Sequence, residues 1–141
     1  MLFNTSYRNK DYEKISEDML GKAFTLFEKI KFRGVGSSRL VISKLSPNLK
    51  PKNMQSIDTN FANIELRRKG IIIHFANRLD RYSWIIPFYR LTIFSTQTFS
   101  LHCNGDFIQF KKNQNYLDNK KFIQKMISHK NASLNLEYYD G

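Results

Sequence analysis

Between Ala62 and Lys112 the chain is punctuated too often to build helices. Six short segments lie there: Ala62–Arg68, Gly70–Ala76, Arg81–Ile86, Leu91–Thr96, Thr98–Cys103 and Asp106–Lys111. Turns of a few residues separate them, and apolar residues recur at every second position. Ala62, Ile64 and Leu66 thus share one face of a strand, as do Tyr82, Trp84 and Ile86, and Phe99, Leu101 and Cys103. Asn104-Gly105 is the pair favoured in a two-residue hairpin. Pro87, which cannot donate to a ladder, ends or bends the strand before it. Arg39–Leu45 alternates in the same way and adds a seventh strand. Parallel neighbours need connections of helix length, and none is available here, so the sheet is antiparallel.

Two helical patterns flank this run. Tyr12, Ile15, Met19, Ala23, Leu26 and Ile30 recur at helical steps, with acidic residues at the start, basic residues at the end and Gly34 beyond, which predicts one helix over Asp11–Phe32. Phe122, Ile123, Met126 and Ile127 form an apolar stripe that predicts a second helix over Leu117–Lys130. Residues 1–9 read as loose, 46–60 as a long irregular segment, and Asn131–Gly141 as lacking a clear element. The resulting fold is α+β: one domain over residues 1–141, with a curled antiparallel sheet or β-roll of about seven strands at 39–112. A C-terminal helix (117–130) caps it and an extra N-terminal helix (11–32) precedes it. Apolar residues make up 41% of the chain and include 12 phenylalanines, enough for a real core.

The residues offer little to catalysis. His74, His102 and His129 have no partner at metal-ligand spacing. Adjacent strand residues diverge, so His102 does not serve Cys103, which reads as a small buried residue. Glu65, Asp80 and Asp106 form no nameable acid–base pair. The turn Arg33-Gly34-Val35-Gly36-Ser37-Ser38 follows a helix and precedes a strand, the reverse of a phosphate-binding Walker loop, and reads as a helix stop. No catalytic residue, metal or cofactor is expected; an enzyme whose groups converge from distant positions stays open as an alternative. The N-terminus has no signal-peptide pattern and no segment has the ~20 apolar residues of a membrane helix, so a cytoplasmic location is expected.

Seven strands followed by one amphipathic helix is the element order of the pleckstrin-homology superfold. The runs Lys69-Gly70-Ile71-Ile72-Ile73-His74-Phe75 and Ile86-Pro87-Phe88-Tyr89-Arg90-Leu91 resemble the small bacterial members of that group. There, a strand opened by glycine is followed by an isoleucine–proline–aromatic step. The likeness spans about Arg39–Lys130; the N-terminal helix lies outside it. It implies a scaffold that binds a phosphoinositide head group, a peptide or another protein. The loop that carries basic residues in lipid-binding members corresponds here to Lys44, Lys50 and Lys52, with Arg67 and Arg68 on the following strand. The strict lysine–x(n)–arginine–x–arginine pattern of those members is absent.

The formal charge of +11 attracts polyanions of several kinds: nucleic acid, anionic membrane or acidic protein. Arg67-Arg68-Lys69 occupies a predicted hairpin tip, and Arg78 and Arg81 flank the next turn. Tyr82, Trp84, Phe88 and Tyr89 lie near them in sequence. Two readings follow. The first is a pleckstrin-homology-like interaction module that binds a protein or anionic ligand through Lys44, Lys50, Lys52, Arg67, Arg68, Lys69, Arg78 and Arg81. The second is a small nucleic-acid-binding β-protein that uses the same arginines with stacked aromatics. The wide apolar stripe predicted on residues 11–32 also suits a homodimer.

Overall fold

The computed structural model describes residues 1–50, 61–77 and 80–140, and the side chains of these except 77 and 136–140. It is α+β, with eight strands, all antiparallel. These are β1 (Leu2–Asn4), β2 (Leu40–Leu45), β3 (Phe61–Arg67), β4 (Gly70–Asn77), β5 (Asp80–Pro87), β6 (Thr92–Ser95), β7 (Phe99–Cys103) and β8 (Asp106–Phe110). Their order across the sheet is β1-β5-β4-β3-β2-β8-β7-β6.

This order forces the sheet to bend. Five strands separate β5 from β6, and six strand spacings in a flat sheet span about 29 Å. The chain from Pro87 to Thr92 reaches about 17 Å at most. The two strands can be joined by Phe88–Leu91 only if the sheet folds back on itself. β2 is where the two halves meet. Leu40 and Val41 pair with Ala62 and Phe61 of β3, while Ile42, Lys44 and Leu45 pair with β8, with an irregularity between Ile42 and Lys44.

Inward-facing residues of both halves make one core: Ile64, Leu66, Ile71, Ile73, Phe75, Trp84 and Ile86 from one, and Phe99, Leu101, Cys103, Ile108 and Phe110 from the other. Phe122, Ile123 and Met126 plug it from the C-terminal helix, while Ile127, the fourth residue of the predicted stripe, stays 37% exposed. A smaller apolar cluster, Leu20, Ile72 and Ile85 with Phe3, Tyr12, Ile15 and Met19, lies on the outer face of β4 and β5.

Several sequence expectations are corrected. The predicted helix over Asp11–Phe32 is two helices, α1 (Lys10–Leu20) and α2 (Leu26–Lys31). Gly21 closes α1 at φ 80°, a backbone region that glycine enters freely. Thr25 and Glu28 then form a reciprocal capping box that starts a new helix. Residues 1–9 are not loose: β1 pairs with the edge of β5, and Ile85 N–H donates to the Met1 carbonyl at 2.9 Å. β5 is buried on both faces through Trp84, Ile85 and Ile86, so its edge is a place where another strand is held. Hence the described residues hold eight strands rather than about seven.

The C-terminal helix is also interrupted and longer than expected, as α3 (Gln114–Asp118) and α4 (Lys120–Asp140). The break sits at Asn119, which is buried. Its side chain accepts from the Ser38 N–H at 2.9 Å and donates to the Asn115 carbonyl at 2.9 Å. That ties the helix junction to the entry of β2.

Candidate functional site

Strand register sorts the predicted basic residues into two groups. Val41 opposite Phe61, Phe75 opposite Ala62, Asn77 opposite Asp80 and Leu45 opposite Ile108 place the last residues of β2 and β4 and the first of β3, β5 and β8 at one end of the sheet. Lys44, Lys50 and Arg81 are exposed at this end. Lys52 and Arg78, also expected in the binding set, lie outside the described residues. Lys44 extends over the Phe107 ring, 5.7 Å from its centroid. Asp106 is also here, with its carboxylate accepting from the Ser46 hydroxyl at 3.1 Å.

Arg67, Arg68 and Lys69 sit at the opposite end and do not project as a set. Arg67 is 6% exposed. Its guanidinium donates to the Gly21 carbonyl at 2.6 Å and to Glu65 at 3.2 Å, and its Nε is buried without a partner. The expectation of a free hairpin-tip arginine is therefore wrong for Arg67, which clamps the α1–α2 break onto β3. Arg68 is partly exposed, pairs with Glu28 at 2.6 Å and lies over the Phe24 ring. Both arginines hold the two N-terminal helices to the sheet. Lys69 alone of the three is exposed with no ion pair described.

The aromatics expected to stack bases divide as well. Trp84 and Phe88 are core residues, 3% and 1% exposed, and Tyr82 is stacked on Phe75. Tyr89 is 60% exposed. A different aromatic row, which sequence reading missed, crosses the outer face of the other half-sheet. Phe94 of β6 meets His102 of β7 edge-on at 4.9 Å; His102 stacks on Phe107 of β8 at 5.5 Å; Phe107 lies under Lys44 of β2. The signal was present as alternate residues on three consecutive strands.

The structure also assembles a polar row that sequence reading did not name. His74 Nδ1 is 2.8 Å from Ser83 Oγ and its Nε2 is 2.9 Å from Glu65 Oε1. These residues come from three neighbouring strands, with Thr5 Oγ1 a further 2.8 Å from Ser83. Burial pushes the Glu65 carboxyl upward, but the hydrogen bond and charge of His74, with Arg67 behind, outweigh it and hold the group below the ordinary carboxylate value. Ser83 is fully buried and shares its hydroxyl with Thr5 and His74. No substrate can reach that hydroxyl, so the row is a hydrogen-bond ladder running from a buried serine to a partly exposed His74 and Glu65 rather than an activated nucleophile.

Glu65 and His74 form one wall of an open cleft of 380 Å³, bounded also by Phe24, Lys29 and the Gly34–Ser37 segment. That segment is tied to β3 by Ser37 N–H on Ile64 O at 2.8 Å and Leu66 N–H on Val35 O at 2.7 Å. Cys103 is buried, and burial pushes its thiol above the ordinary value. Among the described residues no group of three His, Cys, Asp or Glu could hold a metal, and no helix is long and apolar enough to cross a membrane. Comparison with family models, curated proteins and solved structures finds no match to this chain.

Proposed function

We propose that the chain is a non-catalytic binding module on a pleckstrin-homology-like scaffold, and that it recognises an anionic ligand through the end of the sheet carrying Lys44, Lys50 and Arg81. One observation supports the reading above others: the register brings cations from β2, the segment after it and β5 to a single end. The scaffold part is supported by seven antiparallel strands, Leu40 to Phe110, followed by a helix whose apolar side enters the bent sheet. Arg67 and Arg68 leave the proposed ligand set, since each is engaged in holding α1 and α2.

Isothermal titration of the full chain with a soluble inositol polyphosphate tests this. Wild-type protein binds, and the triple variant Lys44→Glu, Lys50→Glu, Arg81→Glu loses at least tenfold in affinity at low salt, since each reversed charge repels the ligand. Equal binding by wild type and variant would sink the assignment of this end.

The row Phe94–His102–Phe107–Lys44 favours a second reading, single-stranded nucleic acid stacked on the outer face of β6–β8. Its mark is a binding constant falling with salt at a log–log slope near −0.7 per phosphate contact. It also requires Phe94→Ala to weaken binding.

A further inference from the structure

Helix α2 buries none of its six residues. Its apolar side chains therefore owe nothing to the core. Leu26, Phe27 and Ile30 are 75%, 76% and 70% exposed. At about 100° per residue they fall within one arc of about 100°. On the same wheel Lys29 lies on one side of that arc and Lys31 on the other, both exposed. Lys22 and Arg33, just outside the helix, are exposed too. The acidic residue of the helix, Glu28, lies on the back, bonded to Thr25 and Arg68. The outward face is apolar at its centre and cationic at its rim, with no carboxylate of its own.

The helix is also firmly built. The capping box fixes its start. Phe24 and Phe32, on either side, pack on each other at 5.3 Å and on His129 of α4 at 6.3 and 5.2 Å. Gly34 N–H returns to the Lys29 carbonyl at 2.8 Å, and Lys125 Nζ reaches the Gly34 carbonyl at 2.9 Å. So short a helix does not persist in water unaided. Here the fold holds it in place while leaving its apolar side in solvent.

We propose that this face is a membrane-surface anchor: Leu26, Phe27 and Ile30 enter the headgroup–acyl boundary of an anionic bilayer while Lys22, Lys29, Lys31 and Arg33 meet its phosphates and carboxylates. Charge complementarity selects this occupant. A ring of cations around a projecting apolar tip matches an anionic lipid surface, and a second copy of a chain of charge +11 would bring the same cations against one another. Area also disfavours a dimer. Three side chains offer on the order of 400 Å², about half of what one partner contributes to a stable interface. The site is separate from the loop end that carries Lys44, and the proposal does not depend on that reading.

The experiment is sedimentation of the full chain with vesicles of phosphatidylcholine, with and without roughly a third phosphatidylserine. Wild-type protein pellets with the anionic vesicles, and binding weakens as salt rises. The double variant Leu26→Ser, Phe27→Ser binds at least about tenfold more weakly, with an unchanged circular dichroism spectrum because both positions are exposed. In a second measurement, the Phe27→Trp variant gains fluorescence that shifts to the blue on anionic vesicles. The proposal is overturned if wild-type protein stays in the supernatant at low salt, if the double variant binds as wild type does, or if the emission of the Phe27→Trp variant does not move. It is equally overturned if velocity sedimentation without lipid shows a dimer that the double variant abolishes.

Discussion

His74 and Glu65 are diagonal neighbours on β4 and β3, joined by a 2.9 Å bond between imidazole Nε2 and carboxylate Oε1 on the outer face of the sheet. The bond links two structural features, because Glu65 also pairs with Arg67, which grips the Gly21 carbonyl. The first prediction concerns acid. Glu65 is held below its ordinary value of 4.5. A carboxyl lowered by folding stabilises the fold above that value and loses the contribution as pH falls through its folded value, since the unfolded chain binds the proton first. Urea titrations should show wild-type stability dropping as pH falls below 4.5, and Glu65→Gln should flatten that drop while lowering stability at neutral pH. A variant with the wild-type acid profile would contradict this role.

The two adjacent arginines should respond very differently to loss. Arg67 is buried, and removing it leaves the Gly21 carbonyl without its donor and Glu65 with His74 alone. Arg67→Ala is expected to cost about 3–5 kcal/mol, the range for breaking a buried pair. The Arg68–Glu28 pair is short but partly exposed, and Arg68→Ala should cost under about 1 kcal/mol. Chemical denaturation of both variants measures the contrast. Similar small losses would return Arg67 to the surface and to the set of ligand-binding candidates.

A third prediction rests on Gly70. A Cβ there would collide with the Ile86 carbonyl and the Leu20 side chain, and come within 2.8 Å of Pro87 Cα. Two of the three obstacles are backbone and cannot swing away. Gly70→Ala should therefore destabilise by about 1–3 kcal/mol or more through overpacking, read as a lower urea midpoint at constant slope. Full stability would mean that β4 and α1 do not approach so closely.

The strands were legible because their turns are local. Asn104-Gly105, Lys69-Gly70 and Pro87 each announce themselves, and alternation then assigns the faces. The break in the N-terminal helix was written in Gly21 and in the spacing of Thr25 and Glu28, but the continuous apolar stripe hid it. Leu26, Phe27 and Ile30 continue the α1 periodicity in sequence while α2 turns them to solvent. β1 was not legible: Leu2–Asn4 is a strand only because the β5 edge is there to receive it. The Glu65–His74–Ser83 row needs the register of two hairpins before its members become neighbours. Arg67 was misjudged for a related reason. Nearness to a turn suggested exposure, while the chain that covers it comes from the α1–α2 break, 46 residues away in sequence.

The last prediction joins α4 to the presentation of α2. The His129 ring packs edge-on against Phe24 and Phe32, the two aromatics that flank the short helix. Burial, and then the charge of Lys125, push His129 below its ordinary value of 6.5. A histidine lowered by folding is neutral in the fold, and the unfolded or opened chain takes the proton first. Its packing is therefore fully available above 6.5 and weakens as pH falls from there through the folded value. Amide exchange of Leu26–Lys31, corrected for its intrinsic pH dependence, should accelerate as pH falls below 6.5 by local opening. His129→Phe keeps a ring against Phe24 and Phe32 but cannot take a proton, so it should remove that acceleration. If the variant accelerated as wild type does, the opening would have to start elsewhere, at the Glu28–Arg68 pair or the capping box, and α4 would have no part in holding the helix.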